Sequence, residues 1–86
     1  MSALVRDFGA RVRSLREARA WSQEQLAEHA GLNRSYVGEI ERGAAIASIV
    51  TVDKLAGALG VNVGELLAGA TGGAVSGPLW RAPAHP

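Results

Sequence analysis

Apolar residues recur along this chain at spacings of three and four, in groups separated by glycines and small polar residues. Leu4, Phe8, Val12 and Leu15 form the first stripe and predict a helix from about Ala3 to Arg19, with Ala18 and Ala20 as its extension. Arg6, Arg11, Arg13, Arg16 and Arg19 occupy its other faces, where arginine serves solubility and helix propensity. Leu26, Ala27 and Ala30 mark a second helix, Val37 and Ile40 a third, and Val52, Leu55, Ala56 and Leu59 a fourth. A last short helix carries Leu66 and Leu67 and follows Val61 and Val63. It is too short to be stable alone, so its apolar side must lie against something. Val61, Val63, Leu66 and Leu67 are therefore candidates for the core.

The breaks between these groups carry helix-end chemistry. Ser22, with Gln25 three positions on, makes a capping box, and Trp21 and Leu26 are placed for the hydrophobic staple across it. Gly31 falls where the chain needs a left-handed residue to leave a helix. Asn33 caps the third helix, Leu32 and Val37 are spaced for a second staple, and Gly43 closes it. Ser48 is an N-cap for the fourth helix, Gly60 ends it, and Asn62 with Glu65 makes a second capping box. Two short capped helices with a glycine turn between them, from Trp21 to Gly43, are a helix-turn-helix.

In such a unit the first turn of the second helix is the part that reaches base edges in duplex DNA. That turn carries Arg34, Ser35 and Tyr36 behind the Asn33 cap, with Glu39 one turn further along. Arg34 is the candidate for direct readout, because a guanidinium can donate two bonds to guanine O6 and N7. Ser35 and Tyr36 can add base or phosphate bonds, and Glu39 can accept from cytosine N4 or repel wrong sequences. Gln23 stands at the start of the first helix of the unit, where an amide and free backbone N–H groups can meet a phosphate. Arg42, at the far end of the second, can reach the DNA backbone. These two position the duplex without reading it. The contrary reading makes all of them ordinary solvated residues.

The segment SQEQLAEHAGLNRSYVGEIERG resembles the helix-turn-helix of the Cro/CI-type (XRE-family) DNA-binding regulators, and the likeness runs from about Phe8 to Leu67. NRSYVGEIERG is similar to the recognition helix of the small controller proteins of restriction–modification systems, which are little more than this domain. The resemblance implies a lambda-repressor-like fold: an all-α, compact five-helix bundle. It implies an ion pair between Arg16 and Glu41, tying the first helix to the third. It also implies a dimer seam around the last helix, for which Val61, Val63, Leu66 and Leu67 are the candidates where they are not core. The chain departs from its relatives at Ala44-Ala45-Ile46-Ala47, where controller proteins commonly place Arg and Asn in the positions of Ala45 and Ile46. Phosphate or minor-groove contact by this loop is thereby lost, and a shallower salt dependence of binding is expected.

Composition changes this picture little. Eighty-six residues make one domain near the small end for a self-sufficient core, and small aliphatic cores are often completed by dimerisation. Nine basic and eight acidic side chains leave a net charge of +1, so binding to a polyanion needs a basic face rather than a basic domain. There is no cysteine, and His29 and His85 stand apart, so no disulfide, thiolate site or metal cluster is expected. No nucleophile with its base and no glycine-rich phosphate loop emerges, so neither an enzyme nor a cofactor is expected. No apolar run reaches the ~18–20 residues that cross a bilayer, and Arg6 and Asp7 interrupt any signal segment, which points to the cytoplasm and, on DNA, the nucleoid.

From Ala70 the composition turns to Gly and Pro, so residues 1–69 are assigned to the DNA-binding domain and 70–86 to a tail expected to be flexible. Within it, Leu79-Trp80-Arg81 has the composition of an interface anchor. The expected function is sequence-specific recognition of double-stranded DNA by a homodimer, with helix 33–42 in the major groove of a palindromic operator. Its two recognition helices would lie about 34 Å apart in successive grooves. If the protein activates, it must also contact RNA polymerase, through a surface no residue identifies. The competing expectation is a protein-interaction adaptor or antitoxin-like module on the same fold, favoured modestly by the weak net charge and the apolar linker.

Overall fold

The computed structural model describes residues 3–70, and the tail motif Leu79-Trp80-Arg81 lies outside them. Among the described residues the chain is entirely helical: α1 (Ala3–Ala18), α2 (Gln23–Ala30), α3 (Arg34–Glu41), α4 (Ile49–Leu59) and α5 (Val63–Ala70). No helix there is long and apolar enough to cross a membrane. α5 extends to Ala70, so the first residue assigned to the tail belongs to the last helix.

The helix ends follow the local chemistry. Ser22 Oγ accepts from Gln25 N–H at 3.1 Å, while Ser22 N–H donates to Gln25 Oε1 at 2.8 Å. Asn33 Oδ1 accepts from Tyr36 N–H at 3.1 Å, and Ser48 Oγ from Thr51 N–H at 3.1 Å. The second box is formed by Asn62 and Glu65, with bonds of 2.7 and 2.9 Å. Each of these bonds satisfies a backbone donor that the first turn of a helix leaves free. The exit of α1 is different. Ala20 does not extend the helix but takes φ 58°, a left-handed conformation where a side chain is strained. Its N–H donates to Glu17 O at 2.9 Å, and Trp21 N–H returns to Arg16 O at 3.2 Å.

α1 packs along α5 and α3, and α2 packs on α3 and α4. Leu26, Ile40, Leu55, Leu66, Val12 and Val37 are the large side chains sealed at the centre. Leu4 belongs to the same stripe by spacing, yet it is 51% exposed, because the core reaches α1 only from Phe8 onward. Leu66 is fully buried in the single chain, so of the two roles expected for it, core or seam, it takes the core. Val61 and Val63 are half-buried against the core and Leu67 faces solvent.

The approach of α1 to α3 is set by Gly9. A Cβ there would collide with the backbone carbonyl oxygen of Ile40 and lie 2.9 Å from that of Glu41. Only glycine lets the two backbones meet at that distance. A second tie comes from Arg19, whose Nη2 and Nε donate to Leu59 O at 2.8 and 3.2 Å and so satisfy a carbonyl at the end of α4. The same guanidinium lies 5.2 Å from the Trp21 ring centre, and Trp21 stacks on His29 with centroids 4.1 Å apart.

Candidate nucleic-acid interface

Beneath the outer face of α3 is an ion pair. Arg16 Nε donates to Glu41 Oε2 at 2.7 Å and Arg16 Nη2 to Glu41 Oε1 at 2.9 Å, a two-point contact between side chains only 11% and 3% exposed. Arg16 Nη1 takes a third partner, the Trp21 carbonyl, at 2.8 Å. The hydrogen bond to Glu41 raises the guanidinium above its ordinary pKa range, against the opposing effect of burial and with help from Glu41's charge. One side chain of α1 thus holds the end of α3 and the entry of α2 together.

Above this base, α3 presents its polar residues. Arg34, Ser35 and Glu39 are exposed, and neither Arg34 nor Arg42 forms an ion pair among the described residues. Arg13, by contrast, is neutralised by Glu17 one turn away. Arg34 in the first turn of α3 and Arg42 at its C-cap thus put two unpaired guanidiniums at the ends of one short helix, with the exposed Glu39 between them. Asn33 is exposed, but its side-chain oxygen is engaged in capping, which leaves the amide NH2 to donate outward.

Two candidates are less free than their sequence positions suggest. Tyr36 is half-buried, with its hydroxyl 3.5 Å from Thr51 Oγ1, so the ring leans toward α4 and its edge alone is available. Gln23 is half-buried too, and its Nε2 donates to Glu41 Oε1 at 3.1 Å. The ion pair therefore also holds the Gln23 amide, with one N–H left over.

Sequence reasoning passed over three features of this region. Gly38 lies beneath the ends of Gln23 and Arg42. A glycine inside a helical pattern was the available signal. Thr51 is buried with its Oγ1 3.5 Å from the Tyr36 hydroxyl, and no pattern in the sequence singles it out. The third feature is apolar: Ile46, Ile49 and Val50 are 71%, 86% and 64% exposed beside the recognition unit. The run AIASIV contained them, but only the packing of α4 through Val52, Leu55, Ala56 and Leu59 leaves them outside.

A helix-turn-helix domain family matches residues 7–69, which takes in all of α2 to α4 and nearly all of α5. The immunity repressor protein of Bacillus phage phi105 is 42% identical over 59 residues, or 69% of this chain, which spans only 41% of the repressor's own length. The control protein C.BamHI of Bacillus amyloliquefaciens is 41% identical over 61 residues, covering 70% of this chain and 75% of that protein. Among solved structures, the restriction–modification controller protein C.AhdI from Aeromonas hydrophila superposes with a TM-score of 0.69 at 52% identity, over 73% of this chain and 94% of that one. By name these relatives are regulators rather than enzymes. Capped helices, an unpaired basic edge and matches spanning the whole unit converge: the chain belongs to the helix-turn-helix family of DNA-binding transcriptional regulators, of the Cro/CI (XRE) type.

Proposed function

We propose that this protein acts as a homodimer on a palindromic or near-palindromic operator, with α3 of each subunit in the major groove. The observation that carries this reading is the exposed, unpaired Arg34 at the first turn of α3, on a helix anchored from below by Arg16 and Glu41. Its guanidinium is free to make the two-bond contact to guanine that specifies a base pair. Ser35 and the exposed edge of Tyr36 add neighbouring contacts, Glu39 discriminates against wrong bases, and Asn33, Gln23 and Arg42 hold the phosphate backbone. Val61, Val63 and Leu67 remain the seam, supported by their partial exposure around a short last helix. The controller proteins among the relatives make control of a restriction–modification system a role to test for this chain.

Selection of genomic fragments by the purified protein tests the reading, because it reports binding, half-site spacing and symmetry together. Two inverted half-sites about one helical turn apart are expected. Arg34→Ala should then cost about 1–3 kcal/mol on the selected site and relax preference at one base pair. Equal loss on selected and random DNA would contradict base readout. The exposed Ile46, Ile49 and Val50 favour a second reading, in which an apolar surface beside α3 docks a protein partner. Binding to a defined site that weakens with salt separates the two, since an adaptor shows little of it.

A further inference from the structure

Gly38 occupies the middle of α3, where glycine costs a helix about 1 kcal/mol relative to alanine. It is buried, and what covers it is a pair of side chains from opposite ends of the helix-turn-helix. A Cβ at this position would stand 3.2 Å from Arg42 Nη1, 3.4 Å from Gln23 Oε1 and 3.8 Å from Gln23 Nε2. Gly57, in the adjoining helix, has nothing within 4 Å of the same point.

Neither side chain is there by chance. Helical side chains lean back over the preceding turn, which directs Arg42 onto the residue four before it, Gly38. Gln23 is held from the other side, because its Nε2 donates at 3.1 Å to the Glu41 oxygen that also accepts Arg16 Nη2 at 2.9 Å. The amide cannot retreat from α3 without giving up that bond.

We infer that Gly38 is a positioning residue for DNA backbone binding: its missing Cβ lets the Gln23 amide and the Arg42 guanidinium converge over α3 as a two-pronged contact for one phosphate. The inference rests on the DNA-binding reading above and adds to it the residue that sets the spacing of the two prongs. A methyl group at position 38 pushes Arg42 Nη1 off by a few tenths of an ångström while it comes into ordinary contact with the Gln23 amide, so the guanidinium moves relative to the amide, and hydrogen bonds to a phosphate are sensitive to such shifts. The contact carries no sequence information, so it operates on any duplex.

The test uses a fluorescein-labelled mixed-sequence duplex of roughly 30 base pairs, titrated by anisotropy between about 50 and 200 mM KCl. Arg42→Ala should reduce the slope of log K against log salt by about 1. Gly38→Ala should weaken binding about three- to tenfold, with a thermal midpoint equal to or above that of the parent. Gly57→Ala, the control for a glycine removed from a helix, should bind as the parent does. In a Gln23→Ala/Arg42→Ala background, Gly38→Ala should change affinity less than about twofold, since the two prongs whose spacing it alters are gone. Should Gly38→Ala fold poorly, a cycle on Gln23 and Arg42 with Gly38 intact tests the convergence on one phosphate that the inference requires, and their losses should be non-additive by about two- to fivefold. Parent-like binding by a folded Gly38→Ala overturns the inference alone, as do an equal loss in the background lacking both prongs and additive losses in the cycle. A parent protein that ignores the duplex at about 50 mM KCl overturns the DNA reading and the inference with it.

Discussion

The pair between Arg16 and Glu41 carries the most measurable consequence of this architecture. Its side chains are 11% and 3% exposed, and three of its hydrogen bonds, at 2.7, 2.8 and 2.9 Å, join α1 to α3 and to the α1–α2 connection. Removing one partner leaves a charge that water cannot reach, at a cost of about 3–5 kcal/mol. The two losses should differ. Arg16→Met strands a carboxylate with only the Gln23 amide at 3.1 Å, so it belongs at the upper end of that range. Glu41→Leu strands a more exposed guanidinium that keeps the Trp21 carbonyl at 2.8 Å, so it belongs at the lower end. The double variant removes both charges and should lose less than the milder single change, under about 3 kcal/mol, for a coupling of about 5 kcal/mol or more. With a urea slope of about 1 kcal/mol/M for a small domain, Glu41→Leu lowers the midpoint by roughly 3 M and Arg16→Met by roughly 5 M. Circular dichroism at fixed protein concentration reads it, the concentration being held because association shifts apparent stability. A pKa raised by the partner means that the arginine's share of stability is complete below its ordinary pKa and is lost only as pH climbs through the folded value, so from this side the cycle stays flat between about pH 6 and 9. Single losses under about 1 kcal/mol that simply add would refute the reasoning, because that is the behaviour of a solvated pair.

Four further substitutions test the packing. Ala20→Gly removes the strain of a side chain at φ 58° and should stabilise by about 1 kcal/mol, seen as a rise in thermal midpoint; a fall would mean that the left-handed turn is not what ends α1. Gly9→Ala places a methyl group against the Ile40 carbonyl and should cost about 1–3 kcal/mol or more, with parent-like stability excluding the close approach of α1 and α3. Leu66→Ala opens a cavity in a fully buried site and should cost about 2–5 kcal/mol, whereas Leu67→Ser, at a residue 37% exposed, should leave folding within about 0.5 kcal/mol and lower self-association in sedimentation.

Local chemistry alone determined where most helices of this protein begin and end. Ser22, Asn33, Ser48 and Asn62 each accept a backbone N–H three residues along, and Gly31, Gly43 and Gly60 leave their helices with positive φ. These bonds form within a few residues, so the order of residue types contains them. The apolar spacing likewise contained the inward faces of α2, α3 and α4. What the tertiary structure decided is how those elements share space. Nothing in the spacing separates Leu4 from Phe8, or Leu67 from Leu66, because the depth of a stripe depends on where its neighbour stops. Ala20 shows the same limit, since a left-handed alanine is tolerated only where the surrounding packing holds it. Gly38 shows it at the interface. Its meaning comes from Gln23 and Arg42, which meet above it only once α2 and α3 have docked on the pair from Arg16 to Glu41.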